Sequence, residues 1–387
     1  MTVDRRLDGL TSLRFFACLW VVLFHYGQFQ TGRVPILGGL VRQGYLGVSF
    51  FFVLSGFVLT AVYAPRVRRE PLDRRAFYVA RFARIYPVYL VATLLAIVPF
   101  LLHVRQESPH ASLPAALLPA LALRLSMLSA WIPGYALRLN PPAWTLSVET
   151  FFYLAFPFIL PWLLRGRASA RLGVALPLIL VSCLVPFFLQ RIHPGNGIDA
   201  PYRVAEFFPL SNLGSFLVGC EAGLLFVDRR ASDAKGKRVL NLSLALSLLV
   251  LALCFGFDRV LPSALLHNGL LAVPFAAVAL WTAENEDRLR LLRLPLLVLL
   301  GEASYSAYLF QESLIDVGNF LAAKIGLASP TVGTLSLLLF LLALGGFSVA
   351  CYRFFEAPMR RLLRARLEPK GSREGGTTAS GILVDKV

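Results

Sequence analysis

Eleven stretches of this 387-residue chain are apolar for long enough to cross a bilayer, and that number of them excludes a water-soluble fold. They lie near residues 10–29, 44–64, 84–104, 113–132, 143–164, 172–190, 207–227, 239–257, 263–283, 296–322 and 332–355. A hydrocarbon core of about 30 Å is spanned by about 20 apolar residues of helix, and lipid leaves no partner for an unpaired peptide group. Composition agrees: 57% of residues are hydrophobic and only 16% charged, with a mean hydropathy of +0.67. A soluble chain of this length needs more polar surface to cover its core. The expected fold is all-α, a polytopic membrane helix bundle.

The net charge of +16 raises the question of nucleic acid. In a chain with so many apolar runs, arginine gathered in cytosolic loops is the better account, so no nucleic-acid partner is expected. The segment 65–84, PRVRREPLDRRAFYVARFAR, is crowded with arginine and is placed in the cytosol, which puts the N-terminus inside as well. If run 113–132 also spanned, the basic loop 165–171 would face outward, and 229–238 and 360–366 would be inverted with it. That run is interrupted by Pro114, Pro119 and Arg124. Ten crossings, one re-entrant or interfacial segment and both termini cytosolic is the consistent solution. No small-residue cleavage site follows residues 15–24, so the first run reads as an uncleaved span. Residues 1–366 form one membrane domain, and the Gly/Ser/Thr-rich segment 367–387 is expected to be a disordered cytosolic tail. The five cysteines are scattered through apolar runs without metal spacing, so neither a disulfide framework nor a metal site is expected.

Ionisable residues inside the spans carry the functional signal, because a charge at membrane depth is costly and tends to face the protein interior. Arg14 and His25 are eleven positions apart, which returns them to one helix face about 16 Å apart along the axis. Arg14 could snorkel to headgroups or serve a site; His25 is a natural general base near neutral pH. Glu149 lies about two turns into a span, at a depth similar to His25. It either orients and charges the histidine or makes a structural pair with Arg124 or Arg138. Arg81 and Arg84, at i, i+3, fit both positive-inside charge and a phosphate-bearing ligand from the cytosol. A transporter or lipid flippase would use buried charges and Gly/Pro-interrupted helices equally well, and stands as the alternative.

The order of the motifs narrows the choice. LDGLTSLRFFACLWVVLFH (7–25), GVSFFFVLSGFVL (47–59), RFARIYP (81–87), PPAWTLSVETFFYL (141–154), GEASYSAYL (301–309) and FFEAPMR (354–360) together resemble the acyltransferase-3 family of bacterial integral-membrane O-acyltransferases. The resemblance covers roughly residues 7 to 362. It implies transfer of an acyl group, usually acetyl, from cytosolic acyl-coenzyme A to a hydroxyl of a carbohydrate, glycan or glycosylated small molecule. The coenzyme is then a donor substrate, and no permanently bound cofactor is implied. Carried over by position, His25 is the catalytic histidine, Arg14 its essential companion, Glu149 the motif's acidic residue, and Arg81 and Arg84 the paired arginines; Arg14, Arg81 and Arg84 would hold the donor's phosphates. Two departures stand out. Many members have a histidine after the SYSxYL stretch where this chain has Gln311, which removes that group from proton transfer. The fused domain of some members is absent, so the chain completes transfer alone or hands its acyl group to a separate periplasmic transferase. Trp131, Tyr135 and Tyr202 are the residues whose type suits stacking on an acceptor sugar.

Overall fold

A computed structural model describes residues 7–26, 35–193, 200–228, 234–257, 261–324, 326 and 334–367. Every regular element among them is helical. In chain order these are α1 (Asp8–Tyr26), α2 (Pro35–Arg42), α3 (Leu46–Val67), α4 (Arg74–Leu95), α5 (Ile97–Glu107), α6 (Leu113–Leu125), α7 (Trp144–Arg165), α8 (Ala168–Ile192), α9 (Pro201–Phe207), α10 (Leu213–Asp228), α11 (Ala234–Gly256), α12 (Ser263–Leu265), α13 (Ala272–Glu284), α14 (Pro295–Lys324), α15 (Thr334–Cys351) and α16 (Ala357–Leu367). Short 3-10 and π turns join several of them.

Among the described residues, eight segments are long and apolar enough to cross a membrane: 8–26, 46–67, 74–107, 141–165, 168–192, 209–228, 236–256 and 334–367. Two further elements lie where the sequence places the remaining crossings. The 30-residue α14 is long enough but carries Glu302, Glu312 and Asp316, which dilute its apolar character. The other is broken: α12 leads through a π turn, with Gly269 at φ +97°, into α13. Run 113–132 behaves as its prolines suggest. Its helix α6 has 13 residues, about 20 Å of rise, which is too short to cross. Most of the expected tail, 368–387, lies outside the described residues, as do 27–34, 194–199 and 229–233 of the connecting loops.

Two close helix pairs form the centre. On α3 and α10, a Cβ at Gly56 would collide with the Phe216 carbonyl, and one at Gly219 with the Val53 carbonyl, so these backbones touch because both residues lack side chains. The other pair, α1 and α14, runs parallel. Gly301 lies against the Thr11 carbonyl, Cys18 Sγ donates to the Ser304 carbonyl at 3.4 Å, and His25 reaches Glu312. Polar ties fix the start of α1: Ser12 Oγ donates to the Leu292 carbonyl at 2.5 Å, and the Gly9 amide donates to Glu286 Oε1 at 2.9 Å. By contrast α8, α11 and α15 leave most of their apolar side chains uncovered, as a lipid-facing perimeter does. The central helices α1, α3, α7 and α14 surround one polar interior, which α4 and α16 close at the Arg14 end.

Candidate active site

The polar interior begins with α1, whose Arg14 and His25 mark two levels of the bundle. Arg14 faces a small cavity of about 60 Å³ lined also by Val48, Phe51 and Phe52 of α3, Thr145, Leu146 and Glu149 of α7, and Ser304, Tyr305 and Tyr308 of α14. Ser304, Tyr308 and Glu312 recur at i, i+4, i+8, so one face of α14 carries both the cavity wall and the carboxylate beyond it. Glu312 Oε1 lies 2.8 Å from His25 Nδ1, with both side chains about a quarter exposed. Asp316, one turn further along α14, lies within electrostatic reach of Glu312.

This arrangement corrects one expected pairing. Glu149 does not orient His25; it lies in the field of Arg14, Arg84 and Arg81, and Glu312 takes the place beside the histidine. The structural alternative for Glu149 fails too. Arg124 is fully buried and spends its guanidinium on the loop that follows α6, donating to Ser129 Oγ (2.9 Å), the Ala136 carbonyl (2.7 Å) and the Arg138 carbonyl (2.8 Å). Arg138 donates to the Gly134 carbonyl at 2.9 Å. Gln311 is buried and folds back on its own helix, donating from Nε2 to the Tyr308 carbonyl at 3.0 Å. The neighbouring Glu312, unnoticed in the sequence, supplies a titratable group where Gln311 does not. Tyr202 is buried and so cannot stack on a sugar, and Trp131 already packs edge-on against Phe151 and Phe208.

At the Arg14 end the paired arginines of α4 part company. Arg84 makes a buried ion pair with Glu356, which also accepts from Ser306 Oγ at 2.9 Å. Arg81 is 3% exposed and sits among the rings of Tyr63, Phe77 and Tyr153, each 5.9–6.0 Å from its guanidinium carbon. Its Nε and Nη1 have no hydrogen-bond partner, and the same two atoms of Arg360 on α16 are equally unpartnered. Arg360 lies in the field of Arg84, Glu302, Tyr352 and Glu356. Glu302 accepts from Tyr352 Oη at 3.1 Å. Four guanidiniums, Arg14, Arg81, Arg84 and Arg360, therefore meet three carboxylates, Glu149, Glu302 and Glu356. A buried cluster with one unmatched positive charge and spare N–H donors is arranged to receive an anion.

Glu302, Glu356, Arg360 and Glu312 were missed as site residues. The signal for them was present: Glu302 and Glu312 are ionisable residues within the apolar run 296–322, where such groups rarely persist without use, and Glu356 and Arg360 lie in the FFEAPMR motif just after the last run.

The model of an acyltransferase domain matches residues 7–353 of the chain. The acyltransferase MdmB of Streptomyces mycarofaciens is 30% identical over 384 residues, covering 93% of each chain. YrhL of Bacillus subtilis (strain 168), named as a candidate peptidoglycan O-acetyltransferase, is 27% identical over 71% of this chain and 43% of its own. The O-acetyltransferase OatA of Staphylococcus aureus (strain NCTC 8325 / PS 47) is 24% identical over 93% of this chain. The match covers 58% of OatA, so the chain spans about half the length of these last two relatives. No solved structure matches.

Proposed function

This chain belongs to the acyltransferase-3 family and is a membrane O-acyltransferase, and from that premise we propose that it moves a short acyl group from acyl-coenzyme A to a hydroxyl of a carbohydrate, glycan or glycosylated small molecule. The observation that carries the reading is the order of groups through the bundle: an arginine-rich cluster with one positive charge in excess, a small cavity, then the His25–Glu312 pair. The arginine end faces the cytosol of a bacterial inner membrane, with both termini on that side, because the basic segments 65–84 and 360–366 lie there.

Arg81 and Arg360 offer the unpartnered donors to the coenzyme's phosphates. Arg14 completes the positive field and Arg84, already paired with Glu356, shapes it. The pantetheine arm carries the thioester through the cavity toward His25. With Nδ1 facing Glu312, Nε2 is the nitrogen left to take a proton. The acceptor hydroxyl gives its proton to Nε2 as its oxygen attacks the thioester carbonyl carbon. The C–O bond forms, the C–S bond breaks, and the leaving thiolate recovers the proton from the imidazolium to depart as the free thiol. Glu312 is the positioning residue that opposes the imidazolium charge. Glu149 holds Arg14 at the cavity.

The acceptor class rests on the family resemblance and on relatives whose names state O-acetylation, one of them of peptidoglycan. The test uses purified wild type and His25→Ala in liposomes with acetyl-coenzyme A and a panel of envelope glycans, following free thiol. Thiol release with matching O-acetylation, lost in a folded His25→Ala, is the expected result. Equal release from both proteins removes His25 from the chemistry. Transfer that appears only when a second, periplasmic transferase is added replaces direct transfer by relay.

A further inference from the structure

The break between α12 and α13 is held open by its neighbours. Across the turn Leu266–Leu270 the backbone leaves helical geometry at Asn268 and Gly269. Non-helical backbone at membrane depth persists only where protein buries it or where it lines a wet cavity. Here protein supplies partners from three elements. Ser49 Oγ of α3 donates to the His267 carbonyl at 2.8 Å, Cys183 Sγ of α8 donates to the Asn268 carbonyl at 3.6 Å, and Asn268 Nδ2 donates to the Glu206 carbonyl of α9 at 2.7 Å. Those ties fix the turn and leave hydrogen-bonding capacity over. His267 Nδ1 and the neighbouring Asn268 Oδ1 both lack a hydrogen-bond partner. An imidazole N–H beside an amide oxygen is a donor next to an acceptor, and one hydroxyl can satisfy both, accepting from the first and donating to the second.

Aromatic rings frame that pair of atoms. Tyr45 lies parallel to the His267 ring at 5.6 Å, Trp144 is stacked at 6.0 Å, and Phe207 meets it edge-on at 5.6 Å. Trp144 and Phe207 are buried, whereas Tyr45 and His267 are only half-buried. Rings with a few placed polar atoms between them suit a sugar, whose C–H faces lie on aromatic carbon and whose hydroxyls need partners. The place is also beside the chemistry. The Phe24 ring is 5.6 Å from Tyr45 and 5.3 Å from His25, and Thr145, next to Trp144, lines the cavity that Arg14 faces. A glycan held at His267 can therefore present a hydroxyl of the same or the next sugar to His25.

We infer that the turn Leu266–Leu270 is a subsite for a carbohydrate acceptor, in which His267 and Asn268 hold a hydroxyl other than the one acylated and Tyr45 offers the ring face. The inference rests on the acyl-transfer reading above. The assay is thiol release from acetyl-coenzyme A by purified protein in nanodiscs. The acceptors are methyl β-glucoside, methyl N-acetyl-β-glucosaminide, methyl α-rhamnoside and their monodeoxy derivatives, and calorimetry with coenzyme A reports on the donor separately. His267→Phe keeps a ring in the stack and removes both nitrogens. It should raise KM for the best glycoside at least about tenfold while leaving coenzyme A affinity within about threefold, and His267→Gln should recover part of the loss. In wild type the derivative lacking the held hydroxyl should be at least about tenfold poorer than its parent, and in His267→Phe that penalty should vanish. A folded His267→Phe with unchanged acceptor KM, or a deoxy penalty that persists in it, overturns the subsite and leaves the turn to a resident water. A wild type that binds coenzyme A but responds to no glycoside overturns the sugar assignment with the donor reading intact. Absence of coenzyme A binding overturns the donor reading and this subsite with it.

Discussion

Replacing Glu312 by glutamine keeps the shape of the side chain and removes its charge. The carboxylate oxygen stands 2.8 Å from His25 Nδ1. At an effective dielectric of about 20, opposite unit charges at that distance attract by about 6 kcal/mol. Both side chains are about a quarter exposed, and solvent screening at such a site reduces this to about 3 kcal/mol. The interaction grows only when the imidazole becomes charged, so nearly all of its loss falls on the transition state rather than on donor binding. The expected outcome is a fall in kcat of roughly 100-fold, since about 1.4 kcal/mol is tenfold. KM for the acyl-coenzyme A should stay within about threefold, because Glu312 lies beyond the cavity from the arginines, and Glu312→Asp should recover part of the rate. The assay is thiol release in liposomes, with folding checked by gel filtration. A Glu312→Gln enzyme that turns over within threefold of wild type would refute the pairing as part of the chemistry. A rise in KM with kcat unchanged would move Glu312 into donor binding instead.

Three further outcomes concern stability. Arg84→Ala leaves Glu356, 2% exposed, without its cation, and should cost about 3–5 kcal/mol in thermal unfolding or abolish expression; Arg84→Met with Glu356→Leu should unfold later than Arg84→Ala alone, and the reverse order contradicts the pairing. Gly301→Leu drives a side chain into the Thr11 carbonyl and should yield no monodisperse protein, whereas Gly173→Ala, with open space at its Cβ, should be tolerated; a well-behaved Gly301→Leu would show that α1 and α14 are not in backbone contact. Burial pushes the Glu206 carboxyl up to about 7 from its ordinary 4.5. Between those values the folded state holds a proton that the unfolded state has released, so this residue's contribution to stability falls as pH rises through the window, by up to about 3 kcal/mol. Unfolding temperatures at pH 4.5, 6 and 8 should show Glu206→Gln gaining on wild type as pH rises, and a constant difference would rule the titration out.

Hydropathy and arginine placement carried the architecture because lipid enforces them residue by residue. Each crossing must be a helix of nearly fixed length, and Pro114 and Pro119 mark the run whose helix is too short. The site was legible only in part. That Arg14 and His25 share a face follows from helix geometry alone. Which carboxylate reaches His25 depends on which helix lies beside α1, and no period in the sequence encodes that neighbour. Glu149 was the carboxylate weighed for that place and Glu312 was not; the α1–α14 contact at Gly301 and Thr11 brings Glu312 there. The same holds for Arg84, whose partner Glu356 is 272 residues away. Arg124 looked like a possible mate for Glu149, yet its donors are taken by carbonyls of a loop whose path the sequence does not declare.

The unequal ends of the polar route bear on what crosses the membrane. A coenzyme bears several phosphates, and their cost inside hydrocarbon is met only where guanidiniums accumulate, at the Arg14 end. Beyond Arg14 the route narrows to about 60 Å³ beside Glu149, and the carboxylates that follow are Glu312, against His25, and Asp316. Those carboxylates would repel a phosphate, and the cavity is too small for a sugar ring. On the proposed reading the only moiety that fits from one end to the other is the acyl group on its thioester. The coenzyme therefore stays on the arginine side, the acceptor hydroxyl arrives from the histidine side, and the acyl group alone changes sides. Coenzyme A and the acylated product should then appear in opposite compartments of oriented liposomes. Release of both on the same side would show that the acceptor, and not the acyl group, makes the journey.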